Sequence, residues 1–169
     1  MEIMNEVIDK MVAAIETMDP EMLAGGILLF TGMMAAIVAY SVIRYLMTAI
    51  GYSKMYRKAG VEGYKAFIPV YNTYNNFKIS LNGKMFFLYA ALAIASTMLG
   101  MFTEGAMAIV GNVVSIGVIY IVMKQHINMA KLFGKGFGTA LALIFFPGIT
   151  SLILGMGNAE FRNEIHEND

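Results

Sequence analysis

The sequence predicts an all-α fold: an integral membrane four-helix bundle with an N-terminal amphipathic helix and an interfacial helical elbow. Of its 169 residues, 58% are hydrophobic and only 14% are charged, whereas soluble domains are about 25% charged. Four runs contain no charged residue and no histidine. A helix needs about 20 residues to cross a bilayer, and each run is close to this length. The runs are 22–43, 85–102, 106–123 and 137–156.

The basic residues fall mainly in two of the connections between these runs. Eleven of the twelve acids lie in the other connection and at the two ends of the chain, so the zero net charge conceals a separation of charge. Since connections rich in Lys and Arg stay in the cytoplasm, we expect a cell inner or plasma membrane protein with both termini outside. The ten basic residues of these two connections are Arg44, Lys54, Arg57, Lys58, Lys65, Lys78, Lys84, Lys124, Lys131 and Lys135.

Three segments follow from this pattern: an amphipathic helix at 1–19, a membrane domain at 20–156 and a polar tail at 157–169. Asp19-Pro20 should separate the first two, since proline suits the first turn of a new helix. The acidic start of the chain does not resemble a cleavable signal peptide. We expect the first helix to lie in the outer interface, or to pack against the bundle or a second copy. Its apolar residues recur at helical spacing, as Ile3, Met4, Val7, Ile8, Met11, Val12 and Ile15.

The elbow at 44–84 is too long for a structureless connection in a compact protein. Its glycines can adopt positive φ, and Ile68-Pro69 predicts an extended residue followed by a helix that starts with proline. Leu81-Asn82-Gly83 should then turn the chain into the second span. The predicted helix carries an apolar stripe of Val70, Tyr74, Phe77 and Leu81, with Asn72, Asn75, Asn76 and Lys78 on its other sides.

Four strings of the sequence are distinctive: YRKAGVEGYKAFIPVYNTY at 56–74, AKLFGKG at 130–136, FP at 146–147 and LGMGNAEF at 154–161. Together they resemble a family of small bacterial multi-pass membrane proteins of unknown function, whose members sometimes carry the label signal peptidase I by association. The resemblance covers about residues 50–161 and is most specific at Gly60–Tyr74. Tyr64 stands where the family usually has Trp, and Met156 where Phe is common. The resemblance implies a membrane location and about four helices, and it implies no reaction.

The glycine- and tyrosine-rich string of the elbow is a candidate for a pocket at the cytoplasmic interface. Glycine lets backbone approach closely, and tyrosine supplies a polar tip beside an apolar ring. The alternative is a tight turn with tyrosines anchored at headgroup level, where aromatic residues concentrate. The residues concerned are Gly60, Gly63, Tyr64, Pro69, Tyr71, Asn72 and Tyr74.

The basic residues of the two cytoplasmic connections are candidates for binding anionic lipid headgroups, each contributing about 1 kcal/mol near the surface. An anionic substrate or partner is a sharper alternative, and ordinary topology-setting charge is a plainer one. The 124–135 segment should continue the third span as a helix with one basic stripe. His126 beside that stripe has no second ligand at helical spacing. The candidate lipid ligands are Lys54, Arg57, Lys58, Lys65, Lys124, Lys131 and Lys135.

The spans themselves offer little chemistry. Without intramembrane ionisable groups, a proton-coupled pump is disfavoured. Asn112, Ser115 and Pro147 could line a path, or else make helix contacts; Gly111 with Ser115 is a small-residue pair that permits close packing. Pro147 should kink the fourth span, with Thr150 or Ser151 hydrogen-bonding freed backbone groups.

The function predicted from these residues is that of a membrane scaffold or accessory subunit that binds lipids and proteins and associates with itself. The alternative is an oligomeric channel or small-solute transporter. We expect no enzyme, no catalytic residue and no metal or cofactor site, because cysteine is absent and no hydrolase or nucleotide-binding motif occurs. The expected partners are anionic membrane lipids, the protein itself or other membrane proteins, and no nucleic acid.

Overall fold

A computed structural model describes residues 2–17, 19–102 and 104–162, whose regular secondary structure is all helical, with no strand among them. The all-α prediction is therefore confirmed for this part of the chain. Residues 163–169 of the predicted tail lie outside the described residues. The elements are α1 (Glu2–Glu16), α2 (Pro20–Lys58), a 3₁₀ helix (Gly63–Phe67), α3 (Pro69–Ser80), α4 (Gly83–Leu99), α5 (Gly105–Leu132), α6 (Phe137–Phe145) and α7 (Pro147–Met156).

The chain divides into two compact units, Met1–Ile43 and Arg44–Asp169. In the first unit, α1 and α2 are separated where Asp19-Pro20 predicted a break. The Asp19 carboxylate accepts a hydrogen bond from the Glu21 backbone N–H at 3.0 Å, which satisfies one of the donors left free at a helix start. The apolar stripe of α1 is exposed along its described side chains, from Ile3 to Val12.

Two helices, α2 and α5, are long and apolar enough to cross a membrane, judged by length and composition alone, while α4 and α7 are apolar but shorter. No residue in the most apolar stretch of α2 is buried, and only 11% of that stretch of α5 is. A core helix of a soluble protein would be mostly buried. The structure thus supplies two candidate spans, and the prediction of four crossings goes beyond it.

The core of the second unit lies where the elbow meets the ends of α2 and α5. Tyr56, Leu132 and Leu143 are completely buried there, with side chains from α2, the 3₁₀ helix, α3, α5, α6 and α7 around them. The two connections predicted to be basic and cytoplasmic therefore share one core. The buried members are Tyr52, Met55, Tyr56, Ala66, Ile79, Met129, Leu132, Phe133, Leu143 and Leu154. We call this core and its surrounding elements, residues 44–80, 121–162, the packed end.

The turns of the elbow follow the predicted chemistry. Gly60 has φ +72°, a left-handed conformation that favours glycine. Ile68 is extended at φ −107° and Pro69 begins α3. Asn82 caps α4, since its side-chain oxygen accepts a hydrogen bond from the Met85 N–H at 2.9 Å. These three local predictions are confirmed.

The run 137–156, predicted as one kinked span, forms two helices. The chain breaks at Phe146, whose φ of −128° and ψ of 56° are not helical, because Pro147 has no N–H and cannot continue α6. The Thr150 hydroxyl donates to the carbonyl oxygen of Ala142 at 2.9 Å. Thr150 therefore bonds a backbone carbonyl beside the break, as predicted for this residue, but that carbonyl also accepts from the Phe146 N–H and is not the one that Pro147 leaves free.

The apolar stripe of α3 is partly buried and partly exposed, since Phe77 is 3% exposed and Val70 is 67% exposed, while Asn75 on another side is 3% exposed. Tertiary contacts, and not the apolar pattern alone, decide which side chains of α3 are buried. One expectation for α5 is wrong. The basic stripe was expected to continue as a helix to Lys135, but α5 ends at Leu132. Gly134 then adopts φ +66°, which turns the chain out of the helix.

Candidate functional site: the packed end around Lys58

Helices α2 and α7 touch backbone to backbone. A Cβ placed at Gly155 would lie 2.5 Å from the carbonyl oxygen of Gly51 and 2.8 Å from the Cβ of Lys54. A Cβ placed at Gly51 would lie 2.5 Å from the carbonyl carbon of Ser151. Side chains larger than hydrogen cannot occupy these positions without moving a helix. Glycine therefore sets the distance between α2 and α7.

The ammonium group of Lys58 closes the end of this contact. It donates hydrogen bonds to the carbonyl oxygens of Leu154 at 2.8 Å, Gly157 at 2.6 Å and Ala159 at 2.9 Å. An ammonium group has three donors, so all three are used within the chain. The carbonyls at a helix C-terminus carry partial negative charge and lack intrahelical partners. Lys58 thus joins the last turn of α2 to the end of α7.

The segment after α7 returns to the segment before α6. The Arg162 N–H donates to the Leu132 carbonyl oxygen at 2.7 Å, and the Phe133 and Phe161 rings meet edge to face with centroids 5.7 Å apart. A Cβ at Gly134 would lie 3.4 Å from the guanidinium carbon of Arg162. The two ends of the α6–α7 pair therefore lie side by side.

A chain of polar groups crosses the packed end from α2 to α5. The side chain of Tyr56 is completely buried. Its hydroxyl donates a hydrogen bond to the backbone carbonyl oxygen of Asn72 at 2.7 Å. The Ser80 hydroxyl donates to the carbonyl oxygen of Asn76 at 2.6 Å, and the Asn128 amide donates to that of Ser80 at 3.0 Å. Within the described residues Oδ1 of Asn76 is buried without a partner. These groups order α3 between α2 and α5.

The elbow is also held at its exposed rim. Lys65 and Glu62 form an ion pair at 2.9 Å. The hydrogen bond and charge of Lys65 lower the pKa of Glu62, and the hydrogen bond to Glu62 is the main cause that raises the pKa of Lys65. Nearby, the Tyr45 hydroxyl donates to the Phe67 carbonyl oxygen. Both contacts fix the 3₁₀ helix against its neighbours.

A second, separate recess lies at the α4–α5 turn, lined by Leu99, Gly100, Phe102, Ala108, Gly111, Asn112 and Ser115. A Cβ at Gly111 would lie 3.0 Å from that of Leu99, so the two helices approach closely, as the small-residue pair predicted. The Ser115 hydroxyl is 2.7 Å from that of Ser96 and donates to the Gly111 carbonyl oxygen at 2.8 Å. Ser115 therefore makes a helix contact.

The residues proposed for an interfacial pocket do not converge on one cavity. Tyr64 and Tyr71 are 60% and 54% exposed. Asn72, in contrast, accepts a hydrogen bond from the Tyr56 hydroxyl inside the packed end.

The glycines and the other two residues have structural positions. Gly63 is buried, and a Cβ there would lie 2.6 Å from the Ser53 hydroxyl, while Gly60 forms a turn. Pro69 starts α3, and Tyr74 packs edge to face on Phe86 at 5.5 Å. Their arrangement fits the alternative of a tight turn with tyrosines at its surface.

The candidate lipid ligands separate into two kinds. Lys58 is occupied by carbonyl oxygens and Lys65 is paired with Glu62. His126 on α5 is hydrogen-bonded to the Val122 carbonyl oxygen of its own helix at 2.8 Å. In the described part of the chain, no three His, Asp or Glu side chains are placed to hold a metal ion. The remaining candidates are exposed, and they are Lys54, Arg57, Lys124, Lys131 and Lys135.

Sequence reasoning missed the α2–α7 contact. A signal was present, because Gly148, Ser151 and Gly155 recur at the i, i+3, i+7 spacing of one helix face. The partner residue Gly51 could not be found in this way, since it lies outside the charge-free run of α2. The three hydrogen bonds from Lys58 to carbonyl oxygens also have no sequence signature.

Comparison with known proteins gives a family and nothing closer. No curated protein and no solved structure matches the chain. A family model described as a family of unknown function, DUF5684, matches residues 64–164, which include the polar chain of α3, the whole α4–α5 hairpin and the α6–α7 pair. The match begins later than the predicted resemblance at residue 50 and confirms a family of unknown function. The chain belongs to the DUF5684 family.

Proposed function

We propose that this protein is a non-enzymatic membrane scaffold or accessory subunit, which acts by binding anionic lipid and by packing against other membrane proteins, including copies of itself. One observation carries the proposal. Two polar side chains at the centre of the packed end, Lys58 and Tyr56, have their donors bonded within the chain, while apolar helix surfaces are exposed. A molecule built in this way offers surfaces for contact.

The exposed apolar surface is largest on the α4–α5 hairpin and on the first half of α2. On the hairpin, Ile94, Met98, Ile109, Val113 and Ile116 are each more than 60% exposed. Such a surface exceeds what a soluble monomer leaves uncovered, so lipid tails and neighbouring helices are its natural cover. We place the hairpin and α2 in the bilayer on this ground.

Lipid headgroups are assigned to the exposed basic residues of the packed end. Lys124 and Lys131 lie on the last turns of α5 and Lys135 lies just after it, while Lys54 and Arg57 lie on the last turns of α2. With about 1 kcal/mol from each basic residue near an anionic surface, the five together can hold an acidic headgroup layer. Lys58 is left out, because its donors are already used.

Lipid binding is tested by native mass spectrometry of the detergent-purified protein after addition of phosphatidylglycerol or phosphatidylcholine. We expect phosphatidylglycerol to be retained in preference. The triple variant Lys124→Gln, Lys131→Gln, Lys135→Gln should lose at least half of that preference. The matched control replaces the same three residues by Arg, which keeps the charge and should retain the lipid. Equal retention by the Gln and Arg triples contradicts this lipid site.

Self-association is tested by the mass of the protein component in detergent, measured by size exclusion with light scattering. We expect a mass above the 18.5 kDa of one chain that falls on dilution. A single species at 18.5 kDa over a hundredfold range of protein concentration contradicts self-association. The lipid experiment is independent of this result.

A channel remains the second candidate because Asn112 and Ser115 line one recess at the α4–α5 turn. Pro147 is not among the residues that line this recess, and it begins α7. In liposomes, a protein-dependent leak of ions or small solutes that falls on Asn112→Leu would favour the channel. The Thr97→Val variant, whose hydroxyl bonds within α4, is the control.

A further inference from the structure

We infer that Phe137–Met156 is a re-entrant hairpin, which enters and leaves the membrane at the same face and so places residues 157–162 on the side of the elbow. The inference rests on the membrane location proposed above. It revises the sequence prediction that this segment crosses the bilayer and that the C-terminal tail lies opposite the basic connections. Four observations support it.

The first observation is that the hairpin begins and ends in one place. Leu132 and Phe133, just before α6, contact Arg162 and Phe161, just after α7, through the backbone hydrogen bond and the ring pair described above. A helix of 20 residues that crossed the bilayer would separate its ends by about 30 Å. The 2.7 Å hydrogen bond between Arg162 and Leu132 shows instead that the chain returns to the place from which α6 starts.

The second observation is the length of each helix. With 9 residues in α6 and 10 in α7, and about 1.5 Å of rise per residue, the helices are about 14 and 15 Å long. The hydrocarbon core of a bilayer is about 30 Å thick. Neither helix alone can cross it. Because α7 runs back alongside α6, the pair reaches about halfway across the hydrocarbon core at most.

The third observation is the level of the tip. Helix α7 follows the last part of α2 in parallel: Gly148 lies beside Met47, Gly155 beside Lys54, and the end of α7 is bonded by Lys58. A Cβ at Gly148 would lie 3.6 Å from the carbonyl oxygen of Arg44, the residue that ends the charge-free run of α2. The tip at Phe146 is therefore level with Arg44, the first charged residue after the charge-free run of α2.

The fourth observation is that both backbone polar groups of Phe146, the residue at the break, have partners inside the protein. Irregular backbone at membrane depth must find hydrogen bonds within the protein or in water. The Phe146 N–H donates to the Ala142 carbonyl oxygen at 2.8 Å, and the Phe146 carbonyl oxygen accepts from the Thr150 N–H at 3.0 Å. The exposed tip side chains Phe145 and Phe146 are aromatic, the type that concentrates at the membrane interface.

Single cysteines in the naturally cysteine-free chain test the hairpin. Glu104, Lys135 and Glu160 are exposed, so replacing each with Cys leaves the packing intact. In intact cells, a membrane-impermeant maleimide should label Glu104→Cys, while Lys135→Cys and Glu160→Cys should react only after permeabilisation. The decisive result is that the 135 and 160 sites behave alike.

Labelling of Glu160→Cys on the side of Glu104→Cys, opposite Lys135→Cys, would overturn the hairpin and restore a crossing segment. Shared labelling of 135 and 160 in intact cells, with 104 protected, would support the hairpin and reverse the orientation. Alkaline carbonate extraction separates the underlying assumption: a chain released into the supernatant would refute the membrane location and the hairpin together. Retention in the pellet with opposed 135 and 160 labelling would refute the hairpin alone.

Discussion

Helix α7 and helix α4 are both apolar and short, yet the protein treats them in opposite ways. Helix α7 buries five of its ten residues, and these are mainly small or polar, whereas Ile149, Ile153 and Met156 face outward. Helix α4, with 17 residues and many large side chains, contains no fully buried residue. The buried residues of α7 are Gly148, Thr150, Ser151, Leu154 and Gly155.

This difference teaches that helix packing in the chain is decided by how closely backbones can approach. In water, the largest apolar side chains would be buried first. Where the surroundings are as apolar as the side chains, close van der Waals contact and hydrogen bonds drive association, and small residues permit both. In the membrane location proposed above, the outward Ile and Met of α7 and the outward large residues of α4 follow this second rule.

Adding one methyl group at the α2–α7 contact should produce the largest effect. Gly51→Ala would place a Cβ 2.5 Å from the carbonyl carbon of Ser151. Because the obstructing atoms are backbone, a helix must move. We expect a loss of about 3 kcal/mol in the free energy of unfolding, at the upper end of the usual overpacking range.

The matched control is Gly32→Ala on the same helix, where a Cβ meets nothing within 4 Å. Alanine there should be neutral or stabilising by up to about 1 kcal/mol, since glycine is a poor helix former. Both are measured by unfolding in mixed micelles with increasing SDS. Equal stabilities for the two variants would contradict the glycine contact.

Removing the Lys58 ammonium should produce the next effect. Lys58→Met keeps most of the side-chain length but leaves the carbonyl oxygens of Leu154, Gly157 and Ala159 without this donor. Hydrogen bonds to charged groups contribute about 1.5–3 kcal/mol, and partial exposure of Lys58 places the expected loss near the lower value. Amide exchange should accelerate at 157–162 and remain unchanged in α4.

Lys54→Met is the control for this prediction, because Lys54 lies one turn earlier on α2 and is exposed. It removes the same charge without removing a hydrogen bond that the described residues make. If both variants lose the same stability, the effect is one of charge, and the junction between α2 and α7 does not depend on Lys58.

The α4–α5 hairpin should respond more weakly. Ser96→Ala removes the hydroxyl that lies 2.7 Å from Ser115 across the two helices. Interhelical hydrogen bonds in membrane proteins contribute about 0.6 kcal/mol on average, and we expect a loss of that size in the same micelle experiment. A loss above about 2 kcal/mol would show that this hairpin is held as firmly as α7.

Much of the fold follows from local sequence, because each feature depends on one or two residues. Asp19-Pro20, Ile68-Pro69 and Asn82 mark helix starts through capping and proline geometry, and each lies where predicted. Charge-free runs locate the apolar helices. The number of crossings could not be obtained in this way. A run of 20 apolar residues has the same composition whether it forms one straight helix or two helices folded back at Pro147.

The candidate site was predicted less completely, since it consists of contacts between distant segments. Lys58 reads as one more basic residue of a cytoplasmic connection, and only the position of α7 shows that its donors are used. Gly51 and Gly155 are 104 positions apart in the sequence, and no periodicity joins them. Tyr64 and Tyr71 were candidates for a pocket, and their exposure of 60% and 54% fits the alternative of surface tyrosines that the sequence left open.

The smallest expected effect tests the rim of the packed end by pH. The Glu62 carboxylate is 64% exposed and its pKa is lowered by Lys65, so the pair stabilises the fold fully above the ordinary pKa of Glu, about 4.3. That stabilisation is lost as the pH falls through the lowered pKa of Glu62. Because the pKa of Lys65 is raised, the stabilisation is also lost at high pH, above the ordinary pKa of Lys.

The melting temperatures of the native protein and of Glu62→Gln, compared from pH 7 to pH 3, should show a small difference that disappears on acidification. Because the pair is exposed, about 1 M salt should remove the difference at pH 7; a difference that survives this salt would mean that Glu62 is bound more deeply into the packed end than its exposure indicates.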